Sequence, residues 1–268
     1  MTALQAIIFD MDGTLADTED IHRQAFNRAF SEFDCGWQWS RDEYRGLLAV
    51  SGGRERIRQY LEQRGVPGGA ARLSELAASM HARKSAIYRE LLAGTGIRLR
   101  PGVARLMREA GARGIPLGVA TSSSRSNLET LLRAALGNGS IDAFQTIVTC
   151  DVVEEKKPSP AVYERAVSEL GASPARCVAI EDTRNGNLAA LAAGLKTVIT
   201  THSFTLEDDF SGAALVVDRL GEPDQPMHVL AGDCGGAACV DLPLLEDIVA
   251  GTVRADRARR QPASARVK

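Results

Sequence analysis

The sequence predicts an α/β fold: a doubly wound, mostly parallel, Rossmann-like sheet with an all-helical cap inserted after its first strand. Three observations carry this. Short Val- and Ile-rich runs alternate with helical patterns from Pro101 onward, as chains of parallel sheets do. Residues 17–93, by contrast, show only helical periodicity. Polar residues with chemical potential also stand just after several apolar runs, where open α/β sheets bind ligands.

The first element is Ala6-Ile7-Ile8-Phe9, an apolar run that stops at Asp10 and leads into Asp12-Gly13-Thr14. It reads as a buried strand closed by a glycine turn. Two carboxylates two residues apart on such a turn form a compact acidic site that needs a cation or a proton. The spacing excludes an EF-hand loop, whose sixth and twelfth positions would be Leu15 and Ile21 instead of Gly and Glu.

After Leu15 the pattern turns helical. Asp17 or Thr18 can cap a helix that carries Ile21, Ala25, Phe26, Ala29, Phe30 and Phe33 on one face. Ser40 and Glu43 form a capping box for a second helix. Ser51-Gly52-Gly53 precedes a third helix, with Ile57, Tyr60 and Leu61 inward. A long fourth carries Leu73, Leu76, Met80, Ile87, Leu91 and Leu92. Residues 17–93 are therefore expected to form the cap and 94–96 its hinge; 1–16 and 97–250 form the core. Beyond the hinge, helices are expected over 103–112, 128–136, 160–170 and 187–193. Strands are expected over 116–121, 146–150, 177–181, 197–200 and 214–217.

Composition limits the function classes. The 268 residues are 44% hydrophobic and 25% charged, with a net charge of -2. This offers no electrostatic argument for nucleic acid or membrane. No stretch approaches the ~20 apolar residues of a spanning helix, and no signal-peptide pattern opens the chain. Five dispersed cysteines without C-x-x-C suggest reduced thiols and a cytoplasmic protein, a monomer or weak oligomer. Residues 251–268 carry +5 and little apolar content, which reads as a disordered basic tail.

The chemistry lies just past the strands. Asp10 and Asp12 come after the first, Thr121-Ser122-Ser123-Ser124 after the second and Lys156-Lys157-Pro158 after the third, and Glu181-Asp182 end the fourth. Singly, each has a plain structural role, as a helix cap or a surface charge. Together they suggest phosphoryl transfer through an aspartyl phosphate. Mg²⁺ would compensate the charge; Asp10 and Asp182 suit its oxygen preference, with Glu181 holding ligand waters. Thr121 and the Ser122 N–H can hold phosphate oxygens, and Lys157 can neutralise them. Asp12 is left as general acid and base, a task for which neighbouring carboxylates would raise its pKa.

In order and spacing these four motifs resemble those of the haloacid dehalogenase superfamily, and the insert resembles its helical cap. The resemblance implies Asp10 as nucleophile, Asp12 as acid/base, and Mg²⁺ on the Asp10 carboxylate, the Asp12 carbonyl and Asp182. It also implies Thr121 and Lys157 on phosphate. Through SGGRERI, KKPSPAVY, EDTRNGNLAALAAG and FSGAALVVDRLGEP, the chain further resembles the CbbY-like proteins. That implies a phosphatase acting on a sugar bisphosphate, notably xylulose 1,5-bisphosphate, an inhibitory by-product of Rubisco. The alternatives are a β-phosphoglucomutase-type isomerase and a phosphoglycolate phosphatase. A bisphosphate needs a second cationic site, for which Arg54, Arg56 and Lys84 are the candidates, with Glu19, His22 and Tyr44 facing sugar hydroxyls.

Overall fold

A computed structural model describes residues 4–253. The expected tail lies outside the described residues beyond Val253. In chain order, strand β1 (Ala6–Phe9) is followed by helices α1 (Glu19–Glu32), α2 (Arg41–Leu47), α3 (Gly53–Gln63) and α4 (Ala70–Gly94). Then come α5 (Val103–Ala112), β2 (Leu117–Ala120), α6 (Arg125–Leu136), β3 (Thr146–Val148) and α7 (Ala161–Leu170). The chain continues through β4 (Cys177–Glu181), α8 (Arg184–Ala192), β5 (Lys196–Thr200), β6 (Leu215–Val217), β7 (Val229–Gly232) and α9 (Leu242–Ala250). The antiparallel strand β7 and helix α9 go beyond what the sequence pattern indicated.

The sheet order is β3-β2-β1-β4-β5-β6-β7. Its first six strands are parallel, and β7 pairs with β6 antiparallel. All four β1 residues are buried, because helices cover both sheet faces. Alternation decides which face each residue serves. Ile7 and Phe9 pack with residues of α5, α6 and α9, while Ala6 and Ile8 pack with residues of α7 and α8. From β1 the chain first builds the β2–β3 side and then crosses to β4, so a topological switch point opens at the carboxyl ends of β1 and β4.

The helical insert has its own aromatic core, with Phe26, Phe30, Trp39, Tyr44 and Tyr60 mutually packed. Ser40 caps α2 by accepting from the Glu43 N–H, as its capping-box sequence implied. Thr18 stands at the N-cap position of α1 without a side-chain cap bond. Among the described residues no helix is long and apolar enough to cross a membrane.

Two glycines permit close approaches at the switch point. Gly13 has φ +83°, and a Cβ there would lie 2.3 Å from an Asp182 oxygen. At Gly186, in the first turn of α8, a Cβ would lie 2.0 Å from the Glu181 carboxylate. Replacing a helical glycine by alanine normally stabilises by about 0.5–1 kcal/mol. Gly186→Ala should instead destabilise by about 1–3 kcal/mol, because the helix is pushed off Glu181. Urea unfolding midpoints would show the reversed sign; a gain in stability would contradict the packing.

Candidate active site

The strand ends bring Asp10, Glu181 and Asp182 together, with carboxylate oxygens all within 4.8 Å of one another. The Asp10 N–H donates to the Ile180 carbonyl at 2.9 Å, which locks the end of β1 to β4. Lys157 is buried opposite and donates to Asp10 Oδ1 at 2.6 Å, to Glu181 Oε1 at 2.5 Å and to the Ala120 carbonyl at 2.9 Å. One ammonium therefore ties the ends of β1, β2 and β4. Burial lowers the Lys157 pKa, but Asp10 and Glu181 outweigh it and hold the ammonium protonated well above the ordinary range.

The carboxylates remain in excess. Burial lifts the Asp10 pKa well above the usual range; Lys157 opposes the lift and Glu181 and Asp182 reinforce it. Asp182 is pushed up to about 6, by burial first, against a hydrogen bond from His202. It accepts from the Thr14 hydroxyl and from His202 Nε2, both at 2.8 Å. The Phe204 N–H donates to His202 Nδ1 at 3.4 Å, so Nε2 is the protonated nitrogen. An all-oxygen, net-negative cluster of this kind fits a hard divalent cation, Mg²⁺ by its donor chemistry.

Glu181, the expected holder of ligand waters, is fully buried. Besides Lys157 it accepts from the Tyr163 hydroxyl at 2.7 Å, the Asp182 N–H at 3.0 Å and Thr183. Fully buried and fully engaged, it anchors Lys157.

Asp12 also departs from expectation. Its side chain turns away from the carboxylate cluster toward the insert, where Thr18 donates at 2.6 Å and Tyr88 at 3.2 Å. His22 Nε2 lies at 3.0 Å. Burial raises the Asp12 pKa, but the charge and hydrogen bond of His22, the Thr18 hydroxyl and Lys84 prevail, holding it well below the usual carboxylate range. The expected upward shift assumed that carboxylates would be its neighbours. The one-residue spacer Met11, fully buried, instead points Asp10 and Asp12 into opposite environments.

A cavity of about 400 Å³ joins the two environments. Thr121, Ser122 and Lys157 line its floor, and Glu19, His22, Tyr44, Arg56 and Lys84 line its roof. Thr121 Oγ1 accepts from the Ser123 N–H at 3.0 Å, which folds the segment after β2 around the floor. Tyr44 donates to Glu19 at 2.8 Å. Arg56 spends its guanidinium on the Tyr44 hydroxyl and the Leu47 and Val50 carbonyls. Arg54 is a correction: it turns outward, pairs with Glu55, and does not line the cavity. Arg45, Lys156 and Arg184 line it instead; Lys156 came with Lys157 in the motif after β3, whereas Arg45 and Arg184 were not among the expected site residues. His202 was missed too, although its place two residues past β5 is the signal that singled out the other strand-end groups.

Lys84 Nζ lies 2.5 Å from His22 Nδ1. Burial pushes the Lys84 pKa down from 10.5 to about 7, with Asp12 opposing and Arg56 assisting. Between these pH values the unfolded chain holds the extra proton, so stability rises with pH, and the full cost of burying the charge is felt below about pH 7. Lys84→Met, with nothing to deprotonate, should be more stable than the wild type at neutral pH by about 1–4 kcal/mol. That gap should shrink toward about pH 10. Urea midpoints of both proteins across this range would test it, and a constant gap would contradict it.

Comparison with known proteins agrees with this geometry. A model of the haloacid dehalogenase-like hydrolases matches residues 4–194. The chain is 44% identical over 230 residues to the CbbY protein of Cupriavidus necator, across 84% of this chain and 89% of that one. It is 36% identical to a CBBY-like protein of Arabidopsis thaliana, across 86% of this chain and 73% of that one. A crystal structure of mutant CbbY from Rhodobacter sphaeroides, in complex with xylulose-(1,5)bisphosphate, matches with a TM-score of 0.75 at 43% identity. That match covers 81% of this chain and 94% of the other. The chain thus belongs to the haloacid dehalogenase-like hydrolases, as a CbbY-like phosphatase.

Proposed function

We propose that the protein is a Mg²⁺-dependent sugar-phosphate phosphatase that works through an aspartyl phosphate, with xylulose 1,5-bisphosphate as its preferred substrate. The observation that carries this reading is the division of labour between Asp10 and Asp12. Asp10 sits on the cavity floor beside Lys157, where its carboxylate can take the phosphoryl group. Asp12 sits across from it, in the reach of His22, where it can handle the proton.

In the first step Asp10 attacks phosphorus, and Thr121, the Ser122 N–H and Lys157 hold the non-bridging oxygens. Asp12 gives a proton to the leaving alkoxide. Its low pKa in the free site would rise when an anionic substrate enters beside it. In the second step the ionised Asp12 takes a proton from the attacking water, which releases phosphate and restores Asp10. Asp10, the Asp12 carbonyl and Asp182 would hold Mg²⁺, which when bound supplies the positive charge that lets an anion approach a phosphate dianion.

The substrate choice rests on the cavity and on the relative crystallised with xylulose-(1,5)bisphosphate. A bisphosphate needs cations at both ends. Lys157 stands at the floor, and Lys84, Arg45 and Lys156 stand at the roof and rim. Tyr44 and Glu19, paired in the roof, can face sugar hydroxyls. The insert acts as a cap that excludes water, swinging on residues 94–96.

Phosphate release should be measured side by side on xylulose 1,5-bisphosphate, phosphoglycolate and β-glucose 1-phosphate with its 1,6-bisphosphate primer. The first should have much the highest kcat/KM, and EDTA should abolish it. Glucose 6-phosphate formed without free phosphate would instead identify a mutase. Lys84→Met should raise KM for the bisphosphate about 10- to 100-fold, as loss of a charge-assisted contact would. An equal effect on phosphoglycolate would rule Lys84 out as the distal phosphate contact.

A further inference from the structure

Phe204 belongs to the loop between β5 and β6, yet its ring, 2% exposed, packs into the aromatic core of the helical insert with Phe26, Trp39 and Tyr44. It meets Tyr44 edge-on, with ring centroids 5.7 Å apart. The Arg41 guanidinium lies over the ring, 4.5 Å from the centroid. Arg41 also donates to the Ser203 hydroxyl at 2.9 Å. From the insert side, therefore, α2 grips this loop through ring, cation and hydroxyl, and Arg45 adds a hydrogen bond to the Ser203 carbonyl at 3.5 Å.

The sheet grips the loop equally firmly. The Thr201 N–H donates to the Val217 carbonyl at 2.8 Å, and Arg100 donates to the Thr201 carbonyl at 2.6 Å. His202 donates to Asp182, and its own N–H and carbonyl are both engaged by Thr205. Phe204 thus sits two residues from the group that holds Asp182 and in contact with the group that holds Glu19 through a hydroxyl. Phe204 and Thr205 also line the cavity. A buried aromatic ring shared between two bodies favours their docked arrangement and is lost to water when they part.

We propose that Phe204 is the plug that seats the insert on the core, and hence a positioning residue for the sugar end of the substrate. Seated, the ring fixes Tyr44, and through it Glu19, over the cavity, and closes the rim beside Asp182. Unseated, it leaves the phosphate floor intact but the roof unplaced. The proposal rests on the reading of the insert as a cap over a sugar-phosphate site. It predicts that the loop between β5 and β6 governs recognition of large substrates far more than phosphoryl chemistry itself.

The test compares kcat/KM on xylulose 1,5-bisphosphate with that on acetyl phosphate, which is too small to reach α2. Phe204→Ala should lower the first on the order of 10- to 100-fold, chiefly through KM, and the second much less. Phe204→Leu should recover most of the loss. Arg41→Ala, at a half-exposed position, should lower the same ratio by about two- to fivefold through the lost contacts to the Phe204 ring and the Ser203 hydroxyl. It settles the matter even if Phe204→Ala does not fold. Equal losses on both substrates, or an unchanged ratio in Arg41→Ala, would overturn the proposal. Should the wild type prefer another sugar phosphate, the substrate reading fails on the wild type alone. The same ratios on the preferred compound then decide the role of Phe204.

Discussion

Everything at the carboxyl edge of the sheet depends on Lys157 as a buried counter-charge. Asp10, Glu181 and Asp182 crowd one point, and like charges so close in a dry site repel strongly. Lys157 bridges two of them and takes the Ala120 carbonyl as well. It can do so only because Glu181 holds it from behind, itself fixed by Tyr163 and by the first backbone N–H groups past β4. Gly186 leaves the room that this arrangement needs. The residual negative charge makes the cluster receptive to a divalent cation, and the placement of Asp10 at its edge makes it available to a phosphoryl group.

The second constraint is the separation of two carboxylates that are neighbours in sequence. Burial, reinforced by Glu181 and Asp182, raises the Asp10 pKa, whereas Asp12 faces groups that lower its own. Such divergence is how one site supports two roles. Here the helical insert supplies half of it: His22, Thr18, Tyr88 and Lys84 all lie in α1, in α4 or just before α1. Asp12, proposed to handle the proton, is thereby wired to the segment proposed to close over the substrate. Lys84 bears the cost of this wiring as a charged group buried between Asp12 and Arg56.

Much of this was legible in the sequence. Short apolar runs such as β1, set against the long stretches of 3.6-residue period, separated sheet from insert, and four strand ends pointed to one site. Thr121, Lys157 and Asp182 stand where that reasoning put them. What it could not see was direction. Arg54 lies on the right helix but on its solvent side, because α3 turns Arg56 inward to satisfy the carbonyls of Leu47 and Val50. Spacing alone placed Asp12 among carboxylates; the turn built on Gly13 and the donors of α1 moved it away. His202 and Phe204 carry no motif. The importance of their loop arises from contacts between elements more than 150 residues apart in sequence, such as Arg41 with Ser203.

The central claim is that Asp10 itself carries the phosphoryl group. Rapid quenching of the enzyme during turnover of a radiolabelled substrate, followed by proteolysis and peptide mapping, tests this directly. The account predicts an alkali-labile label on the peptide bearing Asp10, absent in Asp10→Asn. A fully active enzyme with no labelled peptide, or with the label on another residue, would contradict it.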